Sequence, residues 1–161
     1  MIEVREMSNK GIEELLSRIG YGHLACCLND KPYVIPIHYA YDGTNVHIYT
    51  TEGKKSDIIG KNPNVCLQIE DVRTNRHWKS VIVTGKAKLL TDEKKRDAAL
   101  KAIVEVNPGL TPAVSIRWMD SWVRENIPVI YSIRPVTKTG RESVTRSKSR
   151  KPLPPRNPNI R

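Results

Sequence analysis

Gly53-Lys54-Lys55-Ser56 follows directly on an alternating apolar run, an order that suits a phosphate-sized anion. The first turn of a helix leaves N–H groups without intrahelical partners and carries the positive end of the macrodipole, and two lysines beside it add full charges. Bonds from lysine to a phosphate are charge-assisted, about twice as strong as neutral ones. The hydroxyls of Thr51 and Ser56 are further donors within reach of the same turn. The competing account is that Lys54 and Lys55 are simply solvated charges on an exposed helix.

A second feature lies in the run Tyr33 to Tyr41. Pro36 cannot donate to a strand ladder, so it marks an edge or a bulge where neighbouring backbone groups are left free for a ligand. Alternation puts Ile35 and Ile37 on one face and Pro36 and His38 on the other. His38 is then either a ligand contact or a surface or interface histidine. His23, His47 and His77 have no mutual spacing that suggests a metal site and read as structural. The three cysteines are an odd number with no CxxC pair, and Cys26 and Cys27 are adjacent, which suits reduced, structural thiols. There is no nucleophile elbow, nucleotide-hydrolase phosphate loop or metal-spaced cluster, so no catalytic acid, base or nucleophile constellation stands out.

The elements that position these residues are mostly strands. Ser8 caps a first helix through Ile12, Leu15, Leu16 and Ile19, stopped by Gly20 and Gly22. A strand is expected over His23 to Leu28, a turn at Asn29-Asp30-Lys31-Pro32, a second strand over Tyr33 to Tyr41, a hairpin turn at Asp42-Gly43 and a third strand over Asn45 to Thr51. Gly53 opens a short helix ended by Asn62-Pro63, and Val65, Leu67 and Ile69 alternate through a fourth strand. A polar loop is expected from Asp71 to Arg76, then a strand from Trp78 to Leu90 with Gly85 at a bulge or bend. Thr91 is the expected cap of a second long helix, whose narrow face of Ala98, Ala99, Ala102, Ile103 and Val106 suits close packing on a sheet. Pro112 to Asn126 reads as irregular or helical, with Trp118 and Trp122 one turn apart, as packing residues or a ring sandwich; Val129, Tyr131 and Ile133 form a last strand. Six strands with peripheral helices indicate a mainly β, small antiparallel barrel.

Charge is uneven. The chain of 161 residues carries a net +10, and eight of its basic residues lie from Lys138 to Arg161 against Glu142 alone. That segment also holds Pro152, Pro154, Pro155 and Pro158, so the domain is expected to span residues 1–137 and residues 138–161 to form a flexible basic tail. A tail of this kind gives salt-sensitive, sequence-blind affinity for polyanions, but it has no aromatic residue for base stacking, which weighs against nucleic acid. No run approaches a membrane span and the N-terminus carries Glu3, Arg5 and Glu6, so a soluble, cytoplasmic protein is expected.

The segments Gly22-His23-Leu24-Ala25, Lys31-Pro32-Tyr33-Val34-Ile35-Pro36, Val46-His47-Ile48-Tyr49, Gly53-Lys54-Lys55-Ser56-Asp57 and Asn62-Pro63-Asn64-Val65 occur in register. Trp78-Lys79-Ser80-Val81 and Gly85-Lys86-Ala87 continue the pattern. Together, from Gly20 to Leu90, they resemble the pyridoxamine 5′-phosphate oxidase-related FMN-binding proteins, nearest the branch that includes nitroimidazole-resistance flavoproteins. The resemblance implies a six-stranded split β-barrel homodimer with one FMN at each end of the subunit interface. It implies that Lys54 and Lys55, with Ser56 beside them, grip the phosphate and that Val34, Ile35, Pro36, Ile37 and His38 lie along the isoalloxazine. Tyr49, Thr50 and Thr51 add polar contacts, and Trp78, Lys79, Ser80 and Val81 come from the other subunit. Trp78 then serves dimer packing, flavin contact or both, and Lys79 is a candidate to stabilise the reduced ring.

The implied activity is a flavin-dependent oxidoreductase acting on a small molecule, with electrons from NAD(P)H or another flavin; a flavin carrier or sensor is the alternative. Relatives also bind haem or the deazaflavin F420. Two departures narrow the match. Thr50 stands where many nitroimidazole-resistance members have a histidine, which counts against nitroreduction of that kind. The tail also lacks the substrate-phosphate and ring-stacking pattern of pyridoxamine phosphate oxidase itself.

Overall fold

A computed structural model describes residues 2–110, 118–119, 122–123 and 127–145. In chain order the elements are β1 (Ile2–Glu6), α1 (Asn9–Ile19), β2 (Tyr21–Leu28), β3 (Lys31–Tyr41), β4 (Val46–Thr51), α2 (Lys54–Lys61), β5 (Asn64–Thr74), β6 (His77–Leu89), α3 (Glu93–Val106), β7 (Trp118–Met119), β8 (Trp122–Val123) and β9 (Pro128–Thr145). The main sheet runs β1-β9-β4-β3-β2-β5-β6, and a further β9–β6 pairing closes the six strands from β9 to β6 into an antiparallel barrel. β1 is an added strand on the far half of β9, from Ile2↔Thr145 to Glu6↔Arg141. The expected mainly β split barrel is the fold observed.

Period-two alternation fills the barrel. Leu24, Val46, Ile48, Leu67, Ile69, Val81, Val83 and Ile133 are fully buried and point inward. α1 lays Ile12, Leu15 and Leu16 onto this core. The Ser8 side chain caps it by accepting from Gly11 N at 3.2 Å, and the buried Tyr39 hydroxyl donates to Leu16 O at 2.9 Å. Complete burial of such leucines is worth about 1.5–3 kcal/mol each. α3 covers the opposite, outer surface of β3, β4 and β9: Ala99 and Ile103 are buried there with Ala40 and Ile130, none of them part of the barrel's own core.

Several elements differ from expectation, each for a local reason. Asn29 and Asp30 make the first turn with positive φ, so Lys31 and Pro32 already belong to β3. Asp71 to Thr74 continue β5 instead of looping, because β6 pairs with them as far as Thr74↔His77. Asp92, not Thr91, caps α3: its carboxylate accepts from Lys95 N at 2.9 Å. Trp118 and Trp122 lie on two short strands paired as Trp118↔Val123 and Met119↔Trp122, not on a helix turn; the rest of Pro112 to Asn126 lies outside the described residues. The domain does not end at Thr137. β9 runs on to Thr145 because β6 pairs with it from Leu89↔Tyr131 to Lys79↔Glu142 and β1 holds its last residues. The proline-rich remainder of the tail lies outside the described residues. Gly85 does mark an irregularity, a register shift at Thr84/Gly85 where the backbone of β9 passes so close that a Cβ would lie 2.4 Å from Arg134 O.

Candidate functional site

β4 ends at Thr51 and delivers the chain through Gly53 into α2. Gly53 has φ 150°, a conformation that favours glycine, and gives the helix no side-chain cap. Among the described residues no side chain caps the first-turn N–H groups of α2. Around them, the exposed Lys54 places Nζ 4.7 Å from the centre of the Tyr33 ring. Lys55 is half-buried, and burial lowers its pKa against the opposing influence of the Cys26 thiol. That thiol is itself pushed up by burial and by Cys27, with Lys55 pulling the other way. Among the described residues only two buried side-chain polar atoms have no hydrogen-bond partner, His47 Nδ1 and Ser56 Oγ. An uncapped helix start, two cations and an orphaned hydroxyl in one turn make a donor set that fits a phosphate.

The strand edge that Pro36 signals is present. β3 pairs with β2 from Lys31 to His38, but with β4 only over His38–Tyr41, so Lys31 to Ile37 present an open edge on the β4 side. Pro36 sits in that stretch opposite His23, without a bulge. Val34 is 59% exposed and Ile37 is in the core, so only alternate side chains of Val34 to His38 can face a ligand. His38 is committed in part: its Nδ1 lies 3.1 Å from Asn107 Oδ1, and Asn107 Nδ2 also donates to Tyr39 O at 3.2 Å. Asn107 reads in the sequence only as a helix breaker, and nothing local marks it as the residue that fixes His38.

Tyr49, Thr50 and Thr51 alternate as expected: Thr50 is buried inward, while Tyr49 and Thr51 are half-buried on the outer face. Thus the structure brings Val34 to His38, Tyr49 to Thr51 and Lys54 to Ser56 onto consecutive elements β3, β4 and α2. It does not bring Trp78 to Val81 to them within one chain: β2 and β5 lie between β3 and β6 on one side of the barrel, and on the other Val81 pairs with Gly140 of β9, far along that strand from Ile130, the partner of Tyr49. Val81 is fully buried in the core and Ser80 is paired between Glu70 and Arg141. Lys79 is held by Glu142 at 3.1 Å. The Glu142 carboxyl, which burial alone would raise, is lowered overall by Lys79 and Arg5. Trp78 and Lys79 line an open cleft of ≈ 550 Å³ with Arg18, Asp71 and Arg73.

A further concavity, of ≈ 260 Å³, lies between α3 and the outer face of β4 and β9. Tyr49 and its ladder partner Ile130 form the floor with Pro128, and Arg96, Leu100 and Val104 form a wall. These α3 residues recur every four positions and so share a helix face. None of the wall is legible before the helix is docked. The basic residues at the start of the expected tail are partly spent within the fold, Lys138 on Glu13 and Arg141 on Glu6.

Residues 8–142 match the family described as pyridoxamine 5′-phosphate oxidase. An uncharacterised protein of Rhizobium meliloti (strain 1021) is 41% identical over 83 residues, 52% of this chain; the chain spans about half, 55%, of that relative's length. Among solved structures, an FAD-binding protein from Mesorhizobium loti superposes with a TM-score of 0.72 at 26% identity, covering 90% of this chain and 100% of that one. A candidate 5-nitroimidazole antibiotic resistance protein from Bacteroides thetaiotaomicron gives a TM-score of 0.67 at 19% identity, covering 89% of each chain, a likeness of fold.

Proposed function

The chain belongs to the pyridoxamine 5′-phosphate oxidase family, and from that premise we propose that it is a flavoprotein that binds FMN between two identical chains and carries out redox chemistry on a small molecule. The observation that carries the reading is the start of α2: an uncapped first turn, Lys54, Lys55 and the unpartnered Ser56 Oγ, together suited to a phosphomonoester. In this reading the open edge of β3 supplies backbone donors and acceptors to the polar rim of the ring, and Tyr49 and Thr51 flank it. A bound flavin supplies hydride transfer at N5, with NAD(P)H as the proposed electron source. The residues of this chain bind and orient. Trp78 and Lys79 reach the flavin from the partner, which accounts for their distance from Lys54 within one chain.

The test begins with the visible spectrum of the purified protein, where flavin bands near ~370 and ~450 nm are expected. A single Soret band instead would redirect the assignment to haem. The Lys54→Ala, Lys55→Ala double variant should lose most affinity for added FMN, and unchanged affinity would remove the phosphate assignment. FAD is a specific second reading, favoured by the Mesorhizobium loti FAD-binding protein. Mass analysis of the released cofactor separates the two. Reduction of the bound flavin by NAD(P)H and reoxidation by an acceptor separate an enzyme from a carrier. Polyanion binding through the basic tail is tested by removing the residues after Thr145, which leaves β9 whole.

A further inference from the structure

The groove between α3 and the sheet has a chemical character of its own. Among the described residues its lining is apolar except for Tyr49 and Arg96. Leu100 and Val104 remain 37% and 44% exposed although they are large aliphatic side chains beside a well-packed sheet. Arg96 forms no ion pair with any described residue, in contrast to Arg5, Arg18 and Arg141, which are all paired with carboxylates. Among the described residues no acidic one lines the groove. A guanidinium with no carboxylate partner among the described residues, at the mouth of an apolar slot, complements one anionic group attached to an apolar body. A dry cavity of ~150 Å³ already accommodates benzene, so ≈ 260 Å³ suits one or two fused rings, or a short branched chain, with a carboxylate.

The placement ties this groove to the proposed cofactor. Tyr49 lies on the floor, Pro128 pairs with Thr51, and the next residues after Thr51 lead into the lysines of α2. We infer that the groove is the substrate subsite of the flavin site and takes a small apolar monocarboxylate, its ring or chain against Leu100, Val104 and Ile130 and its carboxylate on Arg96. The assignment of this ligand as the reacting partner rests on the flavin reading; the carboxylate site itself rests on the groove alone.

The experiment titrates flavin-loaded protein with 2-naphthoate and with the uncharged 2-naphthalenemethanol by calorimetry and saturation-transfer NMR, alongside FMN titration and sedimentation. Saturable binding of one naphthoate per chain is expected, with the alcohol about tenfold weaker, since a charge-assisted bond at an exposed rim is worth roughly that factor. Arg96→Gln should lower naphthoate affinity about tenfold and leave FMN affinity unchanged. Val104→Trp, which fills the slot, should abolish naphthoate binding. Absence of saturable binding at millimolar naphthoate, or binding undiminished in both variants, overturns the site. So does a wild-type dimer that excludes naphthoate while Val104→Trp is monomeric, which makes the groove an interface between copies. Arg96-dependent naphthoate binding in a protein that takes up no flavin overturns the substrate assignment and the flavin reading, and leaves a carboxylate site.

Discussion

Ser56→Ala has opposite expected effects on the free protein and on its complex, and so discriminates sharply. Ser56 Oγ is buried without a partner, and a buried polar group left unsatisfied costs about 1–3 kcal/mol. Replacing the hydroxyl by hydrogen removes that cost and sacrifices the packing of one small atom, worth a few tenths of a kcal/mol. The flavin-free variant should therefore be as stable as the parent or more stable by about 1 kcal/mol, which for a domain of this size raises Tm by roughly 2–4 °C. In the complex the same hydroxyl is proposed to donate to the phosphate, a bond to a charged group of about 1.5–3 kcal/mol. FMN affinity should fall about 10- to 100-fold. Thermal and urea denaturation of flavin-free protein give the first quantity, and quenching of flavin fluorescence gives the second. A variant that is less stable when flavin-free and binds FMN as the parent does would show that Oγ serves the fold, and the phosphate argument would lose its main support.

Two further outcomes follow from the fold. Gly85→Ala places a methyl 2.4 Å from Arg134 O and 2.9 Å from Ile133 Cγ2; the β6–β9 seam must shift, costing about 1–3 kcal/mol, and an unchanged urea midpoint would contradict so close an approach. The Glu13–Lys138 pair should stabilise the protein in a defined pH range. Burial alone would raise the Glu13 carboxyl, but Lys138 and the Tyr41 hydroxyl hold it below its ordinary 4.5, so its contribution is present above that value and is lost as pH falls through the lowered one. Lys138, held above 10.5 first by Glu13 and then by Tyr41, contributes below that value and loses its contribution as pH rises through the raised one. Glu13→Gln should flatten the acid limb of Tm against pH, and an equally steep limb would refute the coupling.

What was legible in the sequence was what repeats locally. The alternation of Val65, Leu67 and Ile69, the turn at Asp42-Gly43, the cap at Ser8 and the glycine opening of α2 each follow from neighbours a few residues away, and each stands where expected. Strands specified only by distant partners escaped. β1 is exposed along its whole length, so no buried face marks it, and the second half of β9 is largely polar. Both are strands because β6 and β9 supply ladders. The candidate anion turn at Gly53 to Ser56 was readable because a helix start concentrates its donors in four consecutive residues. The fixing of His38 by Asn107 and the groove wall of Arg96, Leu100 and Val104 were not, because they exist only once α3 lies on the sheet.

The long closing strand also sets an order on biosynthesis. Every ladder on the outer edge of β4 and on the free edge of β6 needs residues between Pro128 and Thr145, so a nascent chain that has already emerged through β6 carries two unsatisfied sheet edges until this last stretch leaves the ribosome. During that interval the polypeptide is vulnerable to pairing with other unfinished chains. Ribosome stalling or premature termination ahead of Pro128 should accordingly yield aggregates, whereas release after Thr145 yields a sealed barrel.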